Sequence, residues 1–214
     1  MPRTPNPSRA LAFFCAGAVL FASGCGALKR CAYEGFGRDG WQQPDRVIAD
    51  LAIAEGARVA DLGAGGGYFT FRLARAVGPE GHVYAVDIDA EMNAYVAKEA
   101  AKQGLANVST VLATENDARL PEPVDLVFTS DTYHHLTDRA AYFRRVRERE
   151  LAPGGRVAIV EFEPEASSHS TPRATIESEL EAAGFRLVKS FDYLERQHFL
   201  VFAAEQADPG EPPR

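Results

Sequence analysis

The residues of clearest chemical meaning form a glycine-rich turn with one acid before it and another after it. The turn has the sequence Gly-Ala-Gly-Gly-Gly at 63–67, Asp61 precedes it, and Asp87 follows at the end of the next predicted strand. Glycine adopts backbone angles that other residues avoid, and its missing side chain lets a ligand contact the main chain. A carboxylate beside such a turn can accept hydrogen bonds from both hydroxyls of a ribose. The pattern predicts a site for an adenosine-type ligand, and a glycine cluster that serves only packing is the plainer alternative.

NAD is the competing ligand, and two residues argue against it. Its sites carry Gly-x-Gly-x-x-Gly, with the pyrophosphate at the N-terminus of the following helix. In this chain Tyr68 stands where the third glycine belongs and would crowd the contact between helix and strand. Asp61 places a carboxylate at the end of the first strand, which disfavours a pyrophosphate and suits an ammonium group. The turn therefore favours an adenosine ligand that carries an amino group.

These residues can meet only if a sheet brings their strand ends together. Five apolar runs separated by segments of helical spacing predict strands at 58–62, 82–86, 107–113, 124–129 and 156–162. Alternating strands and helices imply right-handed crossovers and a parallel sheet. The last two strands, 185–191 and 198–204, are joined by too few residues for a crossover helix, so they must pair antiparallel. We predict a single α/β domain over 44–204, with a doubly wound seven-stranded sheet, mostly parallel, and an antiparallel C-terminal hairpin.

Several segments resemble, in the same order along the chain, the motifs of class I S-adenosylmethionine-dependent methyltransferases. The two cofactor motifs match at 59–70 and 83–89. The fourth-strand motif matches in two parts, at 124–128 and 131–135, and the turn before the fifth strand matches at 151–155. The resemblance extends from Trp41 to Ala204, and it is specific for the cofactor but not for the methyl acceptor. It implies S-adenosylmethionine as the cofactor.

The resemblance also implies a role for individual residues. Asp61 and the backbone of the turn glycines Gly63, Gly65 and Gly67 would hold the methionine part of the cofactor, and Asp87 its ribose. Asp117 and Ala118 stand at the position that meets the adenine, with Asp117 as a candidate acceptor for its amino group. A turn residue without a ligand is the alternative for Asp117. Asp89 is interpreted as the N-cap of a helix, where its carboxylate meets free backbone N–H groups.

The acceptor side is predicted at the ends of the fourth and fifth strands. Methyl transfer from an activated sulfonium needs alignment more than a protein nucleophile, and a base helps when the acceptor is a hydroxyl or an amine. Asp131 and His134 are the predicted catalytic residues, with His134 as the base, and Tyr133 is predicted to face the sulfonium as a cation–π partner. Trp41 is a candidate substrate contact, and Glu161 is either an inward acid or an ordinary edge residue. The alternative is that 131–135 only caps the next helix and lines the cofactor pocket.

Other chemistries are excluded by composition. His134 and His135 point apart as neighbours and have no Glu or Cys at ligand spacing, so no metal is predicted. All three cysteines fall within the first 31 residues, so the domain has no thiol nucleophile. A net charge of −7 disfavours binding to nucleic acid phosphates. The expected partner is a small-molecule methyl acceptor, and the sequence leaves the oligomeric state open.

The N-terminal segment has the layout of an export signal. Basic residues precede an apolar run at 10–22, which is shorter than the about 20 residues that span a bilayer. Residues 22–25 resemble a bacterial lipoprotein signal, with Ala22 where that pattern usually has Leu, and Cys25 as the lipidated residue. We predict a signal peptide at 1–24 and a lipid-anchored envelope protein; secretion without lipid and a cytoplasmic protein are the alternatives.

Two further segments lie outside the predicted domain. Residues 25–43 are interpreted as a linker because their apolar residues show no sustained period, and the Pro-rich and charged tail at 205–214 is predicted to be disordered. Residues 41–51 would then be the only cover over the site. The sequence favours a methyltransferase that acts on a small molecule, and the alternative is a non-catalytic envelope lipoprotein that binds adenosyl ligands.

Overall fold

The computed structural model describes residues 37–205. The predicted signal peptide, Cys25 and the tail residues 206–214 lie outside the described residues. Within the described part, no helix has the length and apolar character that a membrane span requires.

Strands and helices alternate as the hydrophobic pattern predicts. The strands are β1 (Arg58–Leu62), β2 (His82–Asp87), β3 (Val108–Leu112), β4 (Val124–Ser130), β5 (Leu151–Phe162), β6 (Phe185–Phe191) and β7 (Gln197–Ala204). The helices are α1 (Arg38–Gln42), α2 (Pro44–Asp50), α3 (Thr70–Val77), α4 (Ala90–Lys102), α5 (Arg139–Arg145) and α6 (Arg173–Ala182). A 3₁₀ turn at Tyr133–His135 follows β4, and a π-helical turn at Val146–Glu150 extends α5.

All seven strands form one sheet in the order β3-β2-β1-β4-β5-β7-β6. Strands β1 to β5 pair in parallel, whereas β7 pairs antiparallel with both β5 and β6. The predicted fold is therefore confirmed. The strand order reverses between β1 and β4, and ligands of such sheets bind at the carboxyl ends of the strands beside that reversal.

An apolar layer covers each face of the sheet. On one face, Phe143 of α5 and Ile176 of α6 pack in a cluster with Val157 of β5. On the other face, Val47 of α2 and Leu73 of α3 pack in a second cluster that contains residues of β1, β4 and β7. These two layers fix the positions of the strand ends, and the loops that follow the carboxyl ends of the strands are thereby positioned as well.

The predicted linker ends earlier than expected, because residues 38–42 form helix α1. The sequence shows no apolar period here, since the helix is attached mainly by polar and aromatic contacts. Gln42 is buried and donates a hydrogen bond of 3.0 Å from Nε2 to Oγ of Ser130. Trp41 packs against Phe162, with ring centroids 5.6 Å apart. Residues 37–43 thus belong to the domain rather than to a linker.

Strand β5 also begins earlier than predicted. The sequence assigned residues 151–155 to a turn, whereas they form the first part of β5. Leu151 pairs with Val124, and after a register shift Arg156 pairs with Leu126. The irregularity explains the wrong boundary, because proline and glycine at 153–155 are typical of turns but are also tolerated at a bulge.

Candidate functional site

The glycine turn after β1 is packed directly against the segment after β4. Gly63 has a φ of 78°, in the left-handed region that favours glycine. A Cβ added to Gly63 would lie 2.1 Å from Oγ1 of Thr132. The turn and the β4 loop therefore meet at the strand reversal, and a side chain at Gly63 would separate them.

Asp87 is fixed at the end of β2 by backbone donors from two directions. Its Oδ2 accepts a hydrogen bond of 2.8 Å from the Gly65 amide, and its Oδ1 accepts one of 2.8 Å from the Asp89 amide. Asp89 in turn accepts from the amides of Glu91 and Met92, which confirms it as the N-cap of α4. Each carboxylate oxygen of Asp87 retains acceptor capacity for a hydroxyl. The group is thus positioned for the ribose role that the resemblance implies.

Asp61 is a buried carboxylate at the end of β1, with 3% of its surface exposed. It accepts a hydrogen bond of 2.5 Å from Oγ1 of Thr70, at the start of α3. Burial raises its pKa to about 6, while the Thr70 hydrogen bond and the charge of Arg38 oppose that rise. A buried acid of this kind gains from a cation placed beside it, which suits the ammonium group of the expected cofactor.

The predicted adenine side contains a turn and two exposed apolar residues. Asp117 accepts a hydrogen bond of 2.8 Å from the Arg119 amide, so it does shape a turn, and its contact with adenine stays a prediction. Ala118 is buried next to it. Ile88 is 63% exposed and Leu112 is 50% exposed, and Leu112 is the register partner of Asp87 on β3. Sequence reasoning missed this apolar pair, although an apolar residue directly after the acid was a usable signal.

Asp131 joins three elements of the fold. Its carboxylate receives hydrogen bonds from Nε2 of Gln197 at 2.5 Å, Nη2 of Arg38 at 3.3 Å and Nε2 of Gln42 at 3.4 Å. Burial raises its pKa to about 6, against the lowering effect of the Arg38 charge. The backbone of Asp131 has a φ of 54°, which is uncommon for a residue other than glycine. This carboxylate ties α1 and β7 to the end of β4.

Arg38 is a site residue that lay in the predicted linker. Its guanidinium stands 4.0 Å from the centroid of the Tyr68 ring, directly after the glycine turn. Burial lowers its pKa, whereas the charges of Asp131 and Asp61 raise it. The positive charge of this side chain thus acts on both acids and lowers the pKa of Asp61 and of Asp131. No motif marks it in the sequence, because its partners are distant along the chain.

His134 and Glu161 form a close pair at the carboxyl ends of β4 and β5. Nδ1 of His134 lies 2.8 Å from Oε1 of Glu161, and the His134 amide donates to Oε2 at 3.1 Å. The Phe162 amide donates to Oε1 at 2.9 Å. Glu161 is fully buried, which settles the two alternatives in favour of the inward acid. Burial raises the pKa of Glu161 to about 7 and lowers that of His134.

The prediction that Tyr133 faces a sulfonium is wrong. The side chain is fully buried in the core beneath α5, and its ring stacks on Phe143 at 5.6 Å. Its hydroxyl donates to Oε2 of Glu179 at 2.7 Å, and Arg139 lies over the ring. The 3₁₀ turn rotates consecutive side chains, so Tyr133 points into the core while His134 reaches Glu161.

The remaining predictions for the acceptor side concern Trp41 and metals. Trp41 is partly exposed and lies between Phe162 at the end of β5 and the guanidinium of Arg196, 5.0 Å from its ring centroid. Its contact with a substrate stays a prediction. In the part of the chain that the structure describes, no group of three or more potential ligand side chains is arranged to hold a metal ion.

Comparison with known proteins places this chain among the methyltransferases. Residues 53–199 match a family model described as a methyltransferase domain. The chain is 31% identical over 182 residues to an arsenite methyltransferase of Halobacterium salinarum, across 76% of this chain and 46% of that protein. It is 34% identical over 109 residues to the ubiquinone/menaquinone biosynthesis C-methyltransferase UbiE of Vibrio campbellii, across 50% of this chain and 42% of that protein. The chain thus spans less than half the length of these two curated relatives.

A solved structure has the same architecture. The crystal structure of a SAM dependent methyltransferase from Aquifex aeolicus superposes with a TM-score of 0.76 and 24% identity, across 83% of this chain and 97% of that one. At this level of identity the likeness concerns the fold, and it agrees with the sheet order described above.

Proposed function

The chain belongs to the S-adenosylmethionine-dependent methyltransferases, and from that premise we propose that it methylates a small molecule at the carboxyl ends of β4 and β5. The observation that carries the proposal is that, among residues 37–205, the helix that lies before α2 on this side of the sheet is short. Helix α1 has five residues and is held over the strand ends by Gln42 and Asp131. The names of two relatives, for arsenite and for ubiquinone/menaquinone biosynthesis, agree with a small acceptor.

The residues present fit the cofactor. A Cβ at Gly63 or Gly67 would lie within 3 Å of the side chain of Thr132 or Phe71, so both positions of the turn require glycine. We propose that Asp61 holds its ammonium group, Asp87 its ribose hydroxyls, and Ile88 one face of its adenine. When bound, the cofactor supplies a methyl group on a sulfonium that is already activated for transfer. The protein's own task is then to orient the acceptor and exclude water.

The alternative of a non-catalytic binding protein is not favoured. The family model that this chain matches describes a methyltransferase domain, and the relatives described above are methyltransferases. The site also contains an imidazole with a buried carboxylate partner, which a binding protein does not require.

The test uses the purified full-length chain and methyl-tritiated S-adenosylmethionine with a bacterial extract that has been split by ultrafiltration. We expect label to enter compounds in the small-molecule filtrate, and an Asp87→Ala variant to transfer far less because it binds the cofactor weakly. Label that enters only proteins in the retentate would contradict a small-molecule acceptor. No label in either fraction, with the cofactor bound, would contradict methyl transfer itself.

We also propose that the chain is exported and lipidated at Cys25. The support is the sequence of residues 1–25, with its basic start, apolar run and small residues before the cysteine. Cells that express the chain should incorporate labelled palmitate into it and carry it in the membrane fraction. A Cys25→Ser variant should lose the label, and Cys31→Ser serves as the matched control that keeps it. Label that persists in Cys25→Ser, or a chain confined to the cytosol, would refute this proposal.

A further inference from the structure

The pair formed by His134 and Glu161 has the arrangement of an oriented base. The carboxylate of Glu161 receives two backbone amides, one on each oxygen, in addition to the contact with the imidazole. Backbone N–H groups can only donate, so these two contacts favour the ionised form of the acid and oppose the rise in pKa to about 7 that burial causes. An ionised acid requires a proton on Nδ1 of His134. The neutral ring then carries its lone pair on Nε2.

The other ring nitrogen remains accessible. Among residues 37–205, Nε2 of His134 makes no hydrogen bond, and it is absent from the buried polar atoms that lack a partner. The side chain is 11% exposed. A lone pair that is held in a fixed direction and reaches the surface of the site can accept a proton from a bound molecule.

The pair also lies close to the predicted transfer centre. His134 is separated by one residue from Thr132, whose side chain packs against the glycine turn at Gly63. Its ring is therefore positioned by the same β4 loop that contacts the cofactor turn. Glu161 is near the end of β5, the neighbouring strand, so the base and its partner come from adjacent strand ends.

We propose that His134 is the general base of the reaction, that Glu161 is its positioning residue, and that the acceptor is a hydroxyl or an amine. This inference rests on the proposed function and names the acceptor class for the same site. A thiolate, arsenite or an enolate carbon attacks without losing a proton at the same moment, so an oriented base would serve it little. A hydroxyl or amine must lose its proton to give a neutral product.

With a hydroxyl acceptor, one carbon–oxygen bond forms and one carbon–sulfur bond breaks. The acceptor oxygen forms a bond to the methyl carbon, the carbon–sulfur bond breaks, and the sulfur keeps that electron pair. The hydroxyl proton passes to Nε2 of His134, and Glu161 stabilises the imidazolium that forms. The products are the methyl ether, the neutral thioether and a protonated imidazole, which returns its proton to water.

Other titratable groups lie around this base. They are Asp131 before the 3₁₀ turn, His135 with its ring centroid 4.1 Å away, Arg139 on α5, His169 in the loop after β5, and His198 on β7 opposite Glu161. The Asp131 charge raises the pKa of His134, whereas burial, His169 and Arg139 lower it. The net effect keeps the ring neutral near pH 7, which a base requires.

The first test measures methyl transfer from tritiated cofactor to four probe acceptors: catechol, aniline, thiophenol (largely thiolate at neutral pH) and arsenite. We expect transfer to catechol or aniline, with kcat lowered about 10²-fold to 10⁴-fold in His134→Gln. The Kd for the cofactor should change less than twofold in calorimetric titration. His82→Gln, at the opposite end of the sheet, is the matched control and should retain the wild-type kcat.

The outcomes separate this inference from the proposed function. Transfer to the thiol or arsenite alone would overturn the base and leave the methyltransferase in place. If His134→Gln transfers the methyl group to catechol or aniline as fast as wild type, His134 is not the base, and the methyltransferase function again remains in place. If neither the probes nor the small molecules of the extract are labelled while the cofactor binds, the proposed function itself falls, and the inference falls with it.

A second test addresses Glu161, whose replacement could also damage the fold. Glu161→Asp keeps the charge and should recover part of the kcat that Glu161→Gln loses. The pH profile of wild-type kcat should rise to a plateau as the pair loses a proton, and the rise should vanish in His134→Gln. Nitrogen NMR of the His134 ring should show the proton on Nδ1 in wild type. A proton on Nε2 instead, or equal loss in both Glu161 variants with an unchanged pH profile, would overturn the positioning role.

Discussion

The amide of Gly65 donates a hydrogen bond of 2.8 Å to Oδ2 of Asp87 and so joins the glycine turn to the end of the neighbouring strand. The amide of Gly63 reinforces this link by donating to the carbonyl of Val86 at 2.8 Å. The two parts of the cofactor site are thereby held as one unit before any ligand binds. Such preorganisation reduces the ordering that binding must impose on the protein.

Replacement of Asp87 by alanine should weaken cofactor binding at least tenfold. Hydrogen bonds to a charged group contribute roughly 1.5 to 3 kcal/mol, and every 1.4 kcal/mol corresponds to about a tenfold change in Kd. Calorimetric titration with S-adenosylmethionine measures the effect. Asp89→Asn is the matched control, because asparagine can still cap α4 and the residue is not assigned to the ribose. Equal affinity in Asp87→Ala and wild type would remove Asp87 from the site.

Replacement of Gly63 by alanine should destabilise the domain more than the same change at Gly104. Both glycines have positive φ, at 78° and 69°, so each substitution costs about 1 to 2 kcal/mol in backbone strain. Only Gly63 also faces a close neighbour, since a Cβ at Gly104 meets nothing within 4 Å. Urea unfolding gives the free energy of unfolding of both variants, and the difference between the two values reports the contact with Thr132.

A double variant checks the cause of that difference. Gly63→Ala should lose more unfolding free energy than Gly104→Ala. Removal of the Thr132 side chain in the double variant Gly63→Ala/Thr132→Gly should recover this additional loss. The strain at Gly63 would remain. If Gly63→Ala and Gly104→Ala lose the same stability, the close packing between the turn and the β4 loop is refuted.

The sequence allows the cofactor side to be predicted because its determinants are local. Apolar runs mark β1 and β2, and the glycines and Asp87 stand directly at their ends. Parallel pairing then brings those ends together without further information. The antiparallel hairpin of β6 and β7 is predictable for a similar reason, because the segment that connects these strands is too short for a crossover helix.

The acceptor side could not be predicted in the same way, since its determinants lie far apart along the chain. Arg38, Gln42 and Gln197 meet at Asp131 through hydrogen bonds that leave no periodic pattern in the sequence. The prediction for Tyr133 is wrong for another reason. A single turn of 3₁₀ helix decides which of two neighbouring side chains enters the core, and spacing alone cannot fix that rotation.

The ion pair of Arg38 and Asp131 should show energetic coupling. Both side chains are largely buried, so Arg38→Met leaves a buried carboxylate without its cation and should cost about 1 to 3 kcal/mol. Asp131→Asn keeps an oxygen for Gln197, and asparagine tolerates the positive φ. The double variant should therefore lose less than the sum of the two single variants. A double-mutant cycle of urea unfolding measures this, and additive losses would show that α1 is held by other contacts.

Asp61 should give the domain a stability that falls as the pH rises. Its pKa is raised to about 6 by burial, above the unfolded value of about 3.9, so the folded state binds the proton more tightly. The favourable contribution is complete below pH 4 and is lost between about pH 4 and 6. Because other buried acids titrate in the same window, the informative quantity is the difference in unfolding free energy between wild type and Asp61→Asn. That difference should decrease by about 2 to 3 kcal/mol from pH 4 to pH 7.

Cofactor binding should show the opposite dependence on pH. An ammonium group beside Asp61 favours the ionised acid, so binding expels the proton, and the affinity for S-adenosylmethionine should increase from pH 5 to pH 7. Titration at pH 5.5 in two buffers of different ionisation heat should reveal proton release, which Asp61→Asn should lack. Since asparagine still accepts the Thr70 hydrogen bond, the local fold is preserved in this control. Equal proton release in both chains would assign the ammonium group to another acid of the site.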